Sequence, residues 1–194
     1  MSKPNLAIRA VTPSESDLAA VIAEVTNRSY ASQLEALFVA SDINRIEVAE
    51  AAEAIADGEM VVAEVDGRIV GAVRVCDIGE KTSFFEAFAV VPEASGEGIG
   101  HALLDYIEAQ AAGSGQEAME LEVLIPDLQD AHQNRLRAWY GRRGYAEITS
   151  EPWNPANAAL VEALRSPSTN IRCRKPLRVP PPLSRGNGLA SNEL

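Results

Sequence analysis

Gly96, Gly98 and Gly100 stand at alternate positions after a β-forming run over residues 84–90, where an apolar-periodic segment begins at Ile99. Glycines so spaced let a ligand approach the backbone with no Cβ in the way. A helix starting beside them points unpaired N–H groups and the positive end of its dipole outward. The spacing predicts a phosphate-binding turn. A dinucleotide fold requires G-x-G-x-x-G directly after its first strand, with an acid about 20 residues further on. Here the third glycine position holds His101 counted from Gly96, or Leu103 counted from Gly98. Residues 92–95 also separate strand from glycines, and the acids Glu117 and Glu120 open the next strand instead of closing it. No Gly-Lys-Ser/Thr follows, which excludes a P-loop.

The turn needs elements to hold it. Residues 5–11 read as a first strand, and Thr12-Pro13-Ser14-Glu15 carries the N-cap, N1 proline and capping-box acid of a helix start. That helix is expected to run to about Tyr30 on a face of Leu18, Val21, Ile22 and Val25. Leu34, Leu37 and Phe38 fall in a broken or second short helix, and a further helix is expected over 44–57, ended by Gly58. Residues 60–65 and 68–78 read as strands joined by Asp66-Gly67, the two-residue turn that best matches strand twist in an antiparallel hairpin. The run from Phe84 is a third antiparallel member. A helix over 99–112 then presents Ile99, Ala102, Leu103, Tyr106 and Ile107 to the sheet. Its crossover sets the strand over 119–125 parallel to the Phe84 strand. A helix over 131–143, a strand over 145–149, an insertion with a short helix (156–164) and a last strand over 170–175 complete the order.

This order and two motifs resemble the GNAT superfamily of acetyl-CoA-dependent N-acetyltransferases. The family's loop runs V-x-P, Arg/Gln-x-x-G-x-G/A, then a Leu-rich helical turn; Val90, Val91, Pro92, Gly96, Gly98, Ile99, Gly100, Leu103 and Leu104 fall on it, with Ser95 where the family has Arg or Gln. The resemblance implies an α/β (α+β) fold with a mixed, mostly antiparallel central sheet of about six or seven strands flanked by helices. It further implies one GNAT-like domain over 1–178, and residues 179–194 read as a Pro/Gly/Ser-rich mobile tail. By resemblance, acetyl-CoA is the cosubstrate and no metal is needed. Backbone groups of Gly96, Glu97, Gly98, Ile99, Gly100 and His101 take the pyrophosphate beside Ser95. The arm pairs along Phe88, Ala89, Val90 and Val91, where the two central strands are expected to part after Val90.

The second motif, Tyr140-Gly141-Arg142-Arg143-Gly144-Tyr145, is similar to the family's Y-x-x-x-G-[FY], whose tyrosine is the general acid. The chemistry suits it: a departing thiolate needs a proton, and a phenol with pKa near ~10 still holds one at neutral pH. Leu136, Trp139 and Tyr140 at i, i+3 and i+4 are equally the buried face of an amphipathic helix. Glu86 alternates with Phe84, Phe88 and Val90 and is the first candidate to take the amine's proton, directly or through water, with Glu122 second. His132 opens the last helix. Gln133 stands where the family often has Asn, and Tyr30, Phe38 and Trp153 are nominated for the acceptor pocket. The alternative function is a CoA-binding module without catalysis.

Composition bounds the partners. The chain has 194 residues, 17 basic and 28 acidic, for a net charge of −11, which argues against nucleic acid or an anionic membrane and suits a small-molecule or peptide amine. Exposed strand edges leave a homodimer open. Cys76 and Cys173 make no disulfide framework, and two histidines with scattered thiols outline no metal site. The absence of a long apolar run reads as a cytoplasmic chain.

Overall fold

The computed structural model describes residues 5–39, 43–126, 131–153 and 158–178; the expected tail lies outside them. The elements are β1 (Leu6–Ala10), α1 (Ala19–Leu37), α2 (Val48–Ala56), β2 (Met60–Val65), β3 (Arg68–Asp77), β4 (Thr82–Val90), α3 (Ile99–Gly113), β5 (Ala118–Pro126), α4 (Ala131–Arg142), β6 (Ala146–Pro152), α5 (Ala158–Ala163) and β7 (Ser168–Pro176). The strands form a seven-stranded sheet in the order β1-β2-β3-β4-β5-β7-β6. Every neighbouring pair is antiparallel except β4 and β5.

Period-two alternation divides the core into two layers. Met60, Val62 and Ala72 face α1 and α2, packing with Ile22, Ala23, Ala51 and Ile55. Val61, Ala63 and Val73 face α3 and α4, packing with Ile99, Leu103, Leu104, Ile107 and Tyr140. Each fully buried Leu or Ile contributes roughly 1.5–3 kcal/mol of apolar transfer. Gly71 lets α3 come this close: a Cβ there would lie 2.9 Å from the Ala89 carbonyl oxygen and 3.1 Å from Leu103.

The Asp66-Gly67 turn has positive φ at both residues, 50° and 78°, as a type I′ hairpin requires. Two expectations change. The capping acid Glu15 does bond Thr12, but a 3-10 turn over Ser16–Leu18 follows, and the α-helix then runs unbroken from Ala19 through Tyr30 to Leu37. Asn27 explains the continuity: its Oδ1 accepts from the N–H groups of Arg45 and Ile46, and its Nδ2 donates to the Ile46 carbonyl, so tertiary bonds hold a polar stretch helical. Glu47 and Glu50 form a reciprocal capping box that starts α2 at Val48, later than Asn44. Cys173 is buried, whereas Cys76 is half-buried.

Candidate active site

The glycine turn supplies a row of free donors. Gly96 and Gly98 have φ of 88° and 84°, a region that only glycine enters without strain, and Gly98 caps α3 with no side-chain bond to its N-terminus. The first backbone bond into the helix is Ala102 N–H to the Gly98 carbonyl. Among the described residues, the N–H groups of Gly96 through His101 therefore have no protein acceptor, and they border a cleft of about 330 Å³ lined by Phe88, Val90, Ser95 and Trp139. Unpaired donors on a positive helix end fit a phosphate diester.

Deeper in, the sheet opens. β4 and β5 pair only over Thr82–Ala118, Ser83–Met119 and Phe84–Glu120, so the strands part after Phe84, six residues earlier than expected from the motif. A bulge is the cause: Ala87 has φ of 50°, and the β3–β4 register slips between Ala72 and Arg74, turning β4 away from β5. Val91 N–H donates to Val70 of β3, so by alternation the N–H and carbonyl of Val90 face the opening. Both are taken by one side chain of α1: Ser29 Oγ accepts from Val90 N–H at 3.3 Å and donates to the Val90 carbonyl at 3.0 Å.

The opening leads to a second cavity of about 390 Å³, lined among others by Tyr30, Arg45, Glu86, Glu122, Gln133 and Tyr140. Phe88 and Leu136 line both cavities, so the two meet there. Tyr140 is held by ring contacts of 6.0 Å to Phe85, 5.8 Å to Tyr145 and 4.8 Å to Trp139. Burial pushes its phenol well above the ordinary tyrosine range, so it stays protonated. Glu86 accepts from Arg45 at 3.1 Å and from Arg74 at 3.3 Å, one bond to each oxygen, which leaves lone pairs for a water or an ammonium. Tyr30 lies beneath the Arg45 guanidinium at 5.6 Å; burial raises its phenol, with Arg45 and then the Phe88 backbone partly offsetting that. Gln133 is fully buried, and among the described residues neither atom of its amide has a partner.

Residues 56–147 match the family model described as the acetyltransferase (GNAT) domain. Over those residues the chain is similar to a GNAT acetyltransferase domain. Solved structures agree on the fold. The ribosomal-protein-S18-alanine N-acetyltransferase of Escherichia coli is 15% identical with a TM-score of 0.64, over 92% of this chain and 98% of that one. YncA of Salmonella typhimurium, solved with its cofactor acetyl-CoA, is 18% identical with a TM-score of 0.63, over 89% and 94%. N-acetylglutamate synthase of Neisseria gonorrhoeae, complexed with coenzyme A and N-acetyl-glutamate, is 17% identical with a TM-score of 0.57, over 91% and 36%. No curated protein matches the chain.

The fold places Tyr140, Glu86 and Glu122 in the lining of one cavity. Ser95, Gly96, Gly98, Gly100, His101, Phe88 and Val90 border the other. Ala89, Val91 and Ile99 are buried in the core, so only their backbone groups are candidates, and the exposed Glu97 contributes backbone alone. His101 accepts a bond from Trp139 Nε1 at 3.2 Å. The side chain of His132 lies outside the described atoms. Ser29 and Arg45 are additions that sequence reading misses; the one signal for Ser29 is its adjacency to Tyr30. Among the described residues no three potential metal ligands cluster, and no described helix is long and apolar enough to cross a membrane.

The same tyrosines set an alkaline limit. Burial raises Tyr145, whose hydroxyl donates to Glu108 at 3.0 Å, far above its unfolded value, as it does Tyr140. A raised folded pKa means that the stabilisation is complete below about pH 10 and is lost as pH rises beyond it. Melting followed from pH 7 to 11 should be flat to about pH 9.5 and then fall. Tyr145→Phe should flatten that fall; an unchanged slope would assign it to other groups.

Proposed function

We propose that the protein moves an acetyl group from acetyl-CoA to a primary amine by direct attack in a ternary complex. The observation that carries this reading is the junction of the two cavities at Phe88 and Leu136, with free backbone donors at one end and Tyr140 and Glu86 at the other. Bound acetyl-CoA supplies the activated acyl group as a thioester. N–H groups from Gly96 to His101 bind its pyrophosphate, and the Gln133 amide, unpaired among the described residues, bonds its arm. The Phe88 N–H has no partner in the β3 register and, exchanged from the Tyr30 phenol to the acyl oxygen, is a fixed donor toward the negative charge developing there. Glu86 takes a proton from the amine, directly or through one water. Tyr140, kept protonated by burial, gives one to the departing sulfur.

Calorimetric titration with acetyl-CoA, with NAD and ATP as controls, tests this. Saturable micromolar binding of acetyl-CoA alone is expected; binding of NAD or ATP without acetyl-CoA would overturn it. The same titration reads Ser29. An arm that pairs with Val90 must displace the serine hydroxyl, giving up a hydrogen-bonded contact worth about 1 kcal/mol net. Ser29→Ala should therefore tighten acetyl-CoA by about fivefold and leave 3′,5′-ADP, which lacks the arm, unchanged. Equal shifts for both ligands, or weaker binding, would make Ser29 a structural support only.

A further inference from the structure

The inner cavity is bridged on its α1 side. Val39 N–H donates to the Ala163 carbonyl at 2.7 Å, and Arg165 N–H donates to the Leu37 carbonyl at 2.8 Å. The Arg165 Nε is shared between the carbonyls of Glu35 and Phe38, both at 2.8 Å, and Phe38 pairs with Leu164 as an antiparallel bridge. The end of α1 is thus tied to the α5–β7 connection, and the backbone edge that an extended acceptor chain would need is already used. Inside the bridge the wall is apolar: Leu34, Leu37, Phe38, Ile43, Trp153 and Leu160 line it, with Phe38 and Trp153 edge to face at 6.1 Å. A cavity of about 390 Å³ is near the lower end of ligand-pocket sizes, and part of it must hold the acyl end of the cosubstrate.

Charge narrows the ligand further. The carboxylates of Glu86 and Glu122 line the cavity; Arg45, the guanidinium in the described lining, is engaged with Glu86 and stacked on Tyr30, and Arg74 bonds the other Glu86 oxygen from outside the lining. Both carboxylates keep lone pairs for an ammonium, whereas a substrate carboxylate would meet like charge with no unengaged guanidinium among the described lining residues. Arg172, near Phe84, is bonded to Glu120 and lies 3.6 Å from Glu122. We infer, resting on the acetyltransferase reading, that the acceptor is a small primary amine with a compact apolar body, and neither a peptide N-terminus nor a free amino acid. In the transfer the amine nitrogen bonds to the acetyl carbon and the carbon–sulfur bond breaks. Of the two protons the ammonium sheds, one is balanced by that gained on sulfur and the other reaches solvent.

The test uses the full chain with acetyl-CoA and four probes: phenethylamine, spermidine, glutamate and an alanine-initiated hexapeptide. Thiol release and product mass are read, with the acetyl-CoA Kd measured separately by calorimetry. Phenethylamine should exceed the other three in kcat/KM by at least 100-fold. Trp153→Ala should raise the phenethylamine KM about tenfold with the acetyl-CoA Kd within twofold, and Leu160→Ala should act in the same direction should the first variant not fold. Comparable or better turnover of peptide, glutamate or spermidine, no turnover of phenethylamine, or an unmoved KM, each with acetyl-CoA binding intact, would overturn the acceptor class alone. Failure to bind acetyl-CoA would overturn the acetyltransferase reading and this inference with it.

Discussion

Replacing Tyr140 by Phe is expected to lower kcat by about 100-fold, the lower part of the range for a lost general acid, with little change in either KM. The ring is what the fold uses. Phe85, Trp139 and Tyr145 pack against it at 4.8–6.0 Å, and phenylalanine preserves each contact. The hydroxyl bonds no described residue, so its removal leaves no buried partner stranded and the melting temperature should stay within about 2 °C. Because burial raises the phenol, the wild-type rate should lose nothing to Tyr140 ionisation up to about pH 10. Steady-state kinetics on both proteins across pH 6–10 would decide. A variant with wild-type kcat throughout would mean that the sulfur draws its proton from solvent and that Tyr140 is a packing residue.

The parts of this fold that can be read in the sequence are those fixed by local chemistry. Asp66-Gly67 specifies its hairpin because few dipeptides accept two positive φ values, and the alternate glycines specify their turn for the same reason. What escapes is determined across the chain. Nothing in Asn27 announces that its amide will hold Arg45 and Ile46 and so carry α1 past the polar residues 27–33. Ala87 is no left-handed residue by type; only the packing of β4 between β3 and the opening holds it at φ of 50° and starts the parting of the strands early. Arg45 meets Glu86 from 41 residues away, and β7 enters the sheet between β5 and β6. Tyr140 and Glu86 could be named from motif and alternation; the groups that clamp Glu86 and occupy Val90 could not.

Glu120→Ala should be the most damaging change outside the cavities. Glu120 stands opposite Phe84 in the last rung before β4 and β5 part, and it is 3% exposed. Its two oxygens accept from Arg172 Nε and Arg174 Nη1, each at 2.6 Å, tying the apex of the opening to β7. Removing a buried carboxylate from its pair is strongly destabilising when the partners stay buried. Here the arginine side chains are 34% and 42% exposed and can turn toward water, which reduces the loss. They nevertheless sit two residues apart on one face of β7, and without Glu120 their like charges face each other. The balance is a destabilisation of about 2 kcal/mol, or roughly 5 °C in melting temperature for a chain of this size. Because the apex sets the width of the opening where the cofactor arm is proposed to pair, acetyl-CoA affinity should fall about tenfold, unlike in Tyr140→Phe. Glu120→Gln, which keeps the shape and one acceptor oxygen, should lose about half as much stability. Were the alanine variant to melt and bind as wild type does, the arginine pair would be a surface ornament and the bulge at Ala87 alone would hold the strands apart.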